Sequence, residues 1–586
     1  MTERPEPAGA GLFPSRAGLA RRLFEPVDIA SMVFFRIAFG LVLAWHAWRY
    51  IRDDLVREVF VEPRYLFAYD HFGWVERLPE AGMLALFYVT GALALCIALG
   101  LWYRLSAALF TLVFFYTFLL EQSEYQNHYY LVCLIGLLLV FVPAHGAFSL
   151  DARRRPAARR STAPAWMLWL LRFQIAVPYF FGGIAKLNYD WLHGQPMAWR
   201  LSVSTDSPFF GPLFREPWVV YAFSWGGLGF DLFVVPFLLW RKTRLAAYAV
   251  AVAFHLSNSL MFQIDFFPPF MIAATTLFFP PDWPRTWVAR LRRRGAEVDA
   301  GAPRAAALHP SPTSAATPWG RPAQRLLLLG LLVYVGVQLL VPLRHFLQPG
   351  NVLWTQEGFR YSWRMKMSVL HTRIRFLATD PERGASREID PLDYLTPKQR
   401  NAMSTKPRMI LQFAHHLADE LRADGWQAVE VRAEAMSSLN GRKPQWLVDP
   451  GFDLASEVRV PRRPAWIEPL EVRLEQRFTP GDFEILRDPA AIRRNGWAAF
   501  PLESWVAFGE RHGQGNATRL SRRVLSEQVA GRLFTTTTSQ EADGSQSPAR
   551  RQLVAVPSAP ADFPLVSLSR AAKAISIDGR DHATEV

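Results

Sequence analysis

Lys186 is the residue of this sequence best suited to chemistry, because it is a solitary lysine near the end of a long apolar run. Of the 65 basic residues only seven are lysines, and only two of those precede residue 344. An arginine stays protonated, whereas a buried lysine can lose its proton and act as a general base. The pattern suits such a base, with Gly182-Gly183 one turn earlier, and it equally suits an interfacial lysine whose amine reaches water.

Two further polar groups lie at or inside apolar runs, where every polar side chain costs free energy and requires an explanation. Asn127 and His128 begin one run and can donate hydrogen bonds to a developing anion, although a histidine satisfied by a helix terminus is more common. His255 and Asn258 lie within another run and suit either a site or a polar contact between helices. We rank this third group below the other two.

Several common kinds of site are excluded. The sequence has no HExxH, Walker A or GxSxG motif. Its two cysteines, Cys96 and Cys133, lie inside apolar runs, so we expect neither a disulfide framework nor a metal site. The net charge of +14 would suit nucleic acid in a soluble protein. Here the arginines cluster in short connectors, such as 153–155 and 292–294, where they set membrane orientation, so no nucleic-acid partner is expected.

The candidate residues must be positioned by membrane-spanning helices. The 586 residues are 51% hydrophobic and 20% charged, and nearly all long apolar runs precede residue 344. A helix needs roughly 20 residues to cross about 30 Å of hydrocarbon. On that basis we predict about nine spans, of which the run bounded by proline pairs at 268–269 and 280–281 is the weakest. The runs lie near 29–50, 80–101, 105–120, 129–148, 165–187, 218–240, 245–263, 266–280 and 324–343.

Arginine-rich connectors alternate with connectors that are poor in positive charge, so the positive-inside rule places the N-terminus in the cytoplasm. The predicted fold is an α-helical integral membrane bundle followed by a mixed, β-rich extracytoplasmic domain. In that domain, alternating residues at 372–377 and 428–432 predict strands, and an amphipathic pattern over about 406–424 predicts a helix. The predicted segments are a cytoplasmic N-terminal segment (1–28), the membrane domain (29–343) with a cytoplasmic linker (281–323), the outer domain (344–534) and a largely disordered tail (535–586).

Several separate motifs, in order over residues 25–475, resemble the vitamin K-dependent gamma-glutamyl carboxylase family, with a membrane half of the horizontally transferred transmembrane type. In the membrane half they are Asn127-His128, the pattern Tyr-Phe-x-x-Gly-x-x-Lys-Leu-x-x-Asp-Trp at 179–191, and His255 followed by Phe262 and Phe267-Pro268. In the outer domain they are Trp354-Thr355, Tyr361-Ser362-Trp363-Arg364-Met365, Ser438-Leu439-Asn440-Gly441-Arg442 and Val448-Asp449-Pro450.

The resemblance implies a peptidyl-glutamate gamma-carboxylase, a carbon–carbon lyase that uses reduced vitamin K (phylloquinol or menaquinol), O2 and CO2, and no metal. In this reaction a weak base deprotonates the quinol, which reacts with oxygen, becomes a strong base and ends as its epoxide. The strong base removes the γ proton of a glutamyl peptide or protein, and CO2 adds to the carbanion. A quinone tail suits membrane lipid, a transient base suits dry surroundings, and a peptide suits an outer polar domain.

The resemblance also implies a role for each matching residue. Lys186 matches the base, and His128 with Asn127 matches the group that steadies the anion. The residues that lie where the family holds its glutamyl substrate are Trp354, Ser362, Trp363, Arg400 and Arg463. We assign contact with the quinol to Tyr179, His255 and Asn258.

The chain departs from the family in two respects. It lacks the cysteines that join the membrane and outer domains in animal members, so that link must be noncovalent here. The region after 475 matches poorly, and the arginine-rich composition favours a bacterial source. Two alternatives stay open, namely a membrane oxidoreductase that epoxidises a quinol without carboxylating protein, and a non-enzymatic transport or scaffold protein built on the same helices.

Reporter fusions test the predicted topology. We expect fusions after residue 300 and after residue 540 to report opposite sides of the membrane, because the arginine-rich connectors alternate regularly. Paired reporters, one active only in the cytoplasm and one only outside it, give the readout. The same side for both fusions would mean that a span has been miscounted.

Overall fold

The computed structural model describes residues 21–202, 211–214, 216–262, 264–296, 321–457 and 464–474, together with three strands between 525 and 554. The longer helices of the membrane half are α1 (Ala30–Arg52), α2 (Glu80–Leu99), α3 (Tyr103–Leu120), α4 (Asn127–Phe141), α5 (Ala165–Lys186), α6 (Pro217–Leu239), α7 (Arg244–Phe262), α8 (Phe267–Thr275), α9 (Trp283–Ala296) and α10 (Arg321–Leu340). The short helical segments are Arg57–Val61, Gln122–Glu124, Ala144–Gly146, Leu150–Arg154, Pro156–Ala158, Tyr189–Leu192, Met197–Ser202, Gly211–Phe214, Thr276–Phe278, Val341–Leu347, Val352–Thr355, Pro391–Asp393 and Leu454–Ser456.

The chain is an integral membrane protein by the length and composition of these helices. Within the described residues, six helices are long and apolar enough to cross a bilayer: α1, α2, α3, α5, Trp218–Leu239 of α6, and Pro322–Leu347, which includes α10. Helix α4 and the segment Phe267–Phe278 are shorter apolar helices. The predicted number of nine spans is not confirmed by this result and stays a prediction.

Helix α1 lies at the centre of the membrane domain, where its aromatic residues pack against several helices. Phe39 makes edge-to-face contacts with Phe110 of α3 and Phe270 of α8 at centroid distances of 5.8 and 6.1 Å. The residues before α1 form a short strand, β1 (Pro26–Asp28), which pairs antiparallel with β2 (Thr162–Pro164) just before α5. This pairing brings the starts of α1 and α5 together, so the helix that carries Lys186 is fixed to the centre of the bundle.

The outer domain contains a four-stranded antiparallel sheet with two helices. Its strands are β3 (Leu370–Asp380), β4 (Ala385–Ile389), β5 (Glu430–Leu439) and β6 (Gln445–Trp446), in the order β4-β3-β5-β6, and its helices are α11 (Pro397–Ser404) and α12 (Pro407–Ala423). The predicted strands at 372–377 and 428–432 correspond to β3 and the start of β5, and the helix predicted over 406–424 is α12. Helix α12 buries Ile410, Phe413 and Leu417 in a core shared with Phe376 of β3.

Three strands follow in the C-terminal region. They are β7 (Leu525–Val529), β8 (Arg532–Thr537) and β9 (Arg550–Val554), and they form an antiparallel sheet in the order β7-β8-β9. The second half of β8 and all of β9 lie within 535–586, and the largely disordered tail predicted for that range stays a prediction. The remaining residues of that range, the first 20 residues and most of the predicted linker lie outside the described residues.

Two of the motifs meet where the outer domain contacts the membrane domain. Asp190, just beyond the end of α5, accepts two hydrogen bonds of 2.6 Å from the Arg442 guanidinium and one of 2.7 Å from the Asn440 side chain. All three side chains are buried. This cluster is a noncovalent link between the two domains, as the absence of suitable cysteines requires.

A second contact between the domains centres on Glu121, at the end of α3. The Glu121 carboxyl group accepts hydrogen bonds from the Gln399 side chain at 2.8 Å, and from the backbone N–H groups of Phe67 and Ser123 at 3.2 and 2.7 Å. Burial raises the pKa of Glu121 to about 7, although these hydrogen bonds act in the opposite direction. Because Gln399 belongs to α11, the outer domain contacts the membrane domain at a second, separate point.

We predict that Arg442→Ala strongly destabilises the attachment of the outer domain. The substitution leaves the buried Asp190 carboxylate unpaired, which costs about 3–5 kcal/mol. The matched control is Arg375→Ala, which removes an exposed pair with Glu434 and costs about 1 kcal/mol at most. Thermal unfolding in detergent, combined with limited proteolysis of the outer domain, gives the comparison. Equal losses in the two variants would contradict the role of Asp190 as the central link.

Candidate active site

One cavity of about 1740 Å³ extends between the membrane helices and the outer domain. Six of the predicted site residues line it together: Lys186, Asn127, His128, Tyr179, His255 and Asn258. They come from three helices, with Asn127 and His128 in α4, Tyr179 and Lys186 in α5, and His255 and Asn258 in α7, so the bundle brings together residues that are far apart in sequence. The structure thus brings the six residues to one cavity, and their roles stay predictions.

Lys186 is buried at the membrane end of this cavity and is paired with a residue that sequence reasoning missed. Its Nζ lies 2.5 Å from Oδ2 of Asp231 in α6, and both side chains are buried. The amine also lies 5.0 Å from the centroid of the Trp191 ring. A carboxylate at this distance holds the lysine in one position and provides a second proton-accepting group beside it.

Gly182 and Gly183 allow α6 to approach α5 closely enough for this pair to form. A Cβ atom at Gly183 would lie 2.6 Å from Cδ2 and 3.1 Å from the backbone nitrogen of Leu232. At Gly182 it would lie 2.9 Å from the Asp231 carboxylate. The glycine pair that precedes Lys186 is thus required by the close packing of the helix that supplies Asp231.

His128 lies in the first turn of α4 in an aromatic enclosure. Its ring is 5.3 Å from that of Phe267, with the two planes nearly parallel, and 5.1 Å from that of Phe266, with the planes nearly perpendicular. Its Nε2 is buried and has no hydrogen-bond partner among the described residues. A buried polar atom without a partner is costly, so this nitrogen marks a position where a bound molecule could form a hydrogen bond.

The segment that carries Phe266 is itself held by an ion-pair cluster. Asp265 lies 2.8 Å from Nδ1 of His46 and 3.0 Å from the guanidinium of Arg49, both in α1. Asp265 adopts a positive φ of 37°, an uncommon conformation for a residue other than glycine. This cluster fixes the turn between α7 and α8 against α1, and with it the aromatic wall around His128.

Asn127 contacts the outer domain rather than only the cavity. Its Nδ2 donates to the backbone carbonyl of Arg364 at 3.3 Å, and its Oδ1 accepts from the Tyr125 hydroxyl at 3.0 Å. The backbone N–H of Tyr361 donates to that same hydroxyl at 2.7 Å. Asn127 is therefore partly committed to holding the segment that follows Gly358, and His128 has the freer nitrogen.

Tyr179 and His255 form a hydrogen bond across the interior of the membrane domain. The Tyr179 hydroxyl lies 2.6 Å from Nε2 of His255, and both side chains are buried. The other ring nitrogen of His255, Nδ1, has no partner within the described residues. Asn258, one turn further along α7, also lines the cavity.

The predicted substrate residues of the outer domain lie elsewhere. Trp354 and Trp363 are buried in the protein interior, and Ser362 donates back to the Gly358 and Phe359 carbonyls, so none of these three lines the cavity. Arg400, in α11, does not line it either. Arg463 lies outside the described residues. For these five residues the assignment to substrate binding stays a prediction, and the geometry favours a packing role for the first three.

Cationic side chains instead line the outer part of the cavity. Lys366 and Lys406 face it together with Arg200, Arg360 and the Arg408–Glu357 ion pair. Burial, together with the charge of Arg200, lowers the pKa of Lys366 to about 8. Burial and the charge of Arg360 lower that of Lys406, also to about 8. Within the described residues Lys366 has no ion-pair partner, so its charge is available to an anionic group.

The two missed residues carry signals that the sequence did contain. Asp231 is the only charged residue between 217 and 239. The rule that singled out Lys186, a charged residue within an apolar run, therefore also applies to Asp231. Lys366 is one of the seven lysines and immediately follows the Tyr361–Met365 motif. Its position in the cavity depends on the path of the chain after Gly358, which no periodicity reveals.

The arrangement provides the parts of a proton-abstraction site. A lysine–carboxylate pair lies beside a mostly apolar space, and cations line the outer wall. His128 and His255 line the same space, and each has one imidazole nitrogen without a partner among the described residues. In the part of the chain that the structure describes, no cluster of three or more His, Cys, Asp or Glu side chains could hold a metal ion.

Comparison with known families gives two matches. The family model described as the HTTM domain matches residues 24–283. The family model described as the vitamin K-dependent gamma-carboxylase, lumenal domain, matches residues 323–473. Together the two models cover more than two thirds of the 586 residues, and they occur in the order of the membrane and outer domains. No solved structure matches the chain significantly.

Proposed function

Because the chain belongs to the vitamin K-dependent gamma-glutamyl carboxylase family, we propose that it carboxylates peptidyl glutamate at its γ carbon and couples this carbon–carbon bond formation to oxygenation of a reduced naphthoquinone. The observation that carries the proposal is the buried Lys186–Asp231 pair, in one cavity with His128 and His255, each of which has an imidazole nitrogen without a partner among the described residues. In the proposed topology the N-terminus is cytoplasmic and the outer domain extracytoplasmic, which agrees with a match to a lumenal domain.

The membrane end of the cavity fits a quinol ring. Its apolar wall includes Phe254, Phe267 and Met271. His255 Nδ1, which has no partner among the described residues, offers a hydrogen bond to a ring oxygen. When bound, the reduced quinone and O2 would supply the strong base needed to remove the γ proton of glutamate, with the quinone epoxide as the co-product. The residues proposed to hold it are Tyr179, His255 and Asn258.

Lys186 is the proposed general base, and Asp231 is its proton partner. Oδ2 of Asp231 lies 2.5 Å from Nζ of Lys186. This carboxylate can take a proton from Nζ, which leaves a neutral pair and an amine ready to accept a proton from a nearby hydroxyl group. No charge has to leave the buried site in that exchange, which is why the pair suits a dry cavity.

His128 is proposed to stabilise negative charge that develops in the cavity, because its free nitrogen can donate a hydrogen bond there. Asn127 positions the segment that bears Arg364 through its amide hydrogen bond. We assign recognition of the glutamyl carboxylate to Lys366, whose ammonium group faces the outer part of the same cavity. The peptide would then approach from the side of the outer domain while the quinol tail approaches from the lipid.

A direct assay tests the function. The full-length protein in lipid nanodiscs receives a glutamyl peptide, reduced vitamin K, O2 and labelled bicarbonate, and label in the peptide and epoxide are measured separately. We expect both products. Epoxide without labelled peptide would support a quinol-epoxidising oxidoreductase instead. The absence of both products would support a transport or scaffold protein.

We predict that Lys186→Arg and Lys186→Ala abolish epoxide formation and carboxylation together, because one proton transfer precedes both. Each rate should fall by at least about a hundredfold, the usual contribution of a general base. Asp231→Asn should also lower both, since it removes the group that shares the lysine proton. A small exogenous amine should restore part of the activity of Lys186→Ala and little of that of Lys186→Arg.

Two controls accompany this experiment. Lys242→Ala changes the other lysine of the membrane half, which is exposed, and should leave both rates unchanged. The double variant Lys186→Ala/Asp231→Asn avoids an unpaired buried carboxylate, so its retention of fold separates lost chemistry from lost stability. Near-normal turnover by Lys186→Arg would remove the base assignment. His128→Ala should reduce carboxylation more than epoxide formation.

We predict that Lys366→Gln raises the KM for the glutamyl peptide by about ten- to a hundredfold, the value of a charge-assisted hydrogen bond. Because the pKa of Lys366 is lowered to about 8, its ammonium loses its proton as the pH rises through 8. The wild-type KM should therefore rise above pH 8, whereas Lys366→Arg, which stays charged, should show no such rise. Lys398→Gln, an exposed lysine paired with Glu124, is the control. A KM that is unchanged in Lys366→Gln would place the carboxylate elsewhere.

A further inference from the structure

Helix α9 (Trp283–Ala296) has an unusual charge pattern immediately after the last apolar helix of the HTTM-matched region. It contains five arginines, at positions 285, 290, 292, 293 and 294, and no acidic residue. Such a density of one sign is unfavourable unless anionic groups lie close by. The helix begins only a few residues after the apolar segment Phe267–Phe278, so it follows directly on an apolar helix of the membrane domain.

The start of α9 is fixed to the beginning of α1. The Arg285 guanidinium lies 2.9 Å from the Asp28 carboxylate, and the Ser31 backbone N–H donates to the Pro281 carbonyl at 2.9 Å. The Trp283 ring packs edge-on against Phe34 at 4.9 Å. These contacts set the direction of the helix, so the residues beyond its first turn are presented in a defined orientation.

The apolar face of α9 continues beyond its contact with the protein. Trp283, Trp287 and Leu291 are spaced four residues apart and therefore share one face of the helix. Trp283 is half-buried against α1, whereas Trp287 is 57% and Leu291 48% exposed. The arginines at 290 and 292 are also exposed. The helix thus combines an exposed apolar stripe with flanking positive charges.

We propose that α9 lies in the membrane–water interface and binds the phosphate headgroups of anionic phospholipids. Two features select lipid over an acidic protein partner. The stripe is continuous with Trp283, which packs on the first turn of a membrane-spanning helix, and tryptophan is enriched at bilayer interfaces. Basic amphipathic helices with tryptophan and leucine on the apolar face insert into the acyl boundary and draw anionic lipids to their arginines.

Trp287 provides a local reporter for this site. The full-length protein is reconstituted in nanodiscs of phosphatidylcholine and phosphatidylglycerol, with bromine on the acyl chains of one lipid or the other. The difference in tryptophan quenching between the wild-type protein and the Trp287→Phe variant gives the contribution of Trp287 alone. We expect brominated phosphatidylglycerol to quench this signal several-fold more than brominated phosphatidylcholine, and we expect high salt to reduce the preference.

Charge removal tests which residues bind the lipid. Arg290→Gln/Arg292→Gln should lower the preference for phosphatidylglycerol by about fivefold or more, the effect expected of one basic residue near an anionic surface. The matched control is Arg383→Gln/Arg387→Gln, which removes two exposed arginines of the outer domain and should leave the preference unchanged. Equal quenching by the two lipids, or a preference that survives the α9 substitutions, would overturn the proposal. Absence of quenching by either lipid would mean that α9 faces water or another protein.

Discussion

The buried cluster of Asp190, Arg442 and Asn440 is the contact on which the rest of the site depends. Asp190 follows Lys186 by four residues, so the last residue of α5 is the proposed base and the short helix just beyond it carries the link to the outer domain. The position of the outer domain is thereby set relative to Lys186. A buried carboxylate that accepts three charged or polar hydrogen bonds has one low-energy arrangement, because removal of any partner leaves it unsatisfied. The cavity between the domains therefore has a defined shape without a covalent link.

At the cavity, the polar groups fall into two kinds. Some form hydrogen bonds or ion pairs that position the protein, and others are available to a bound molecule. Asn127 and Tyr179, together with Asp265 beside the cavity, use their polar atoms on other protein groups, and they hold helices and turns in position. His128 Nε2 and His255 Nδ1 have no partner among the described residues. Burial of such atoms costs free energy that the fold must compensate elsewhere. The cost is understandable where a bound molecule completes the hydrogen bonds.

Sequence reasoning worked best where the signal is local. The amphipathic pattern of α12 and the alternation in β3 and β5 come from residues that face one core, so periodicity was sufficient. Lys186, His128 and His255 were singled out because a polar residue inside an apolar run needs a partner, and all three line the cavity. The same rule also selects Asp231, but it was not applied to that residue. The Lys186–Asp231 pair is nevertheless the clearest contact of the site. The number of spans could not be fixed, because short and proline-bounded helices such as α8 are apolar but shorter than the roughly 20 residues that a spanning helix needs.

The Tyr361–Met365 motif of the outer domain shows why residues that resemble a family motif do not reveal their own roles. Tyr361, Trp363 and Lys366 all adopt positive φ values, of 59°, 58° and 55°. Such conformations are strained for these residues and persist only where the surroundings enforce them. Trp363 packs against Tyr130, and the Tyr361 backbone is held by Tyr125, while Lys366 faces the cavity. In this arrangement the aromatic residues that resemble a substrate site act through the backbone, by fixing a strained segment whose lysine faces the cavity.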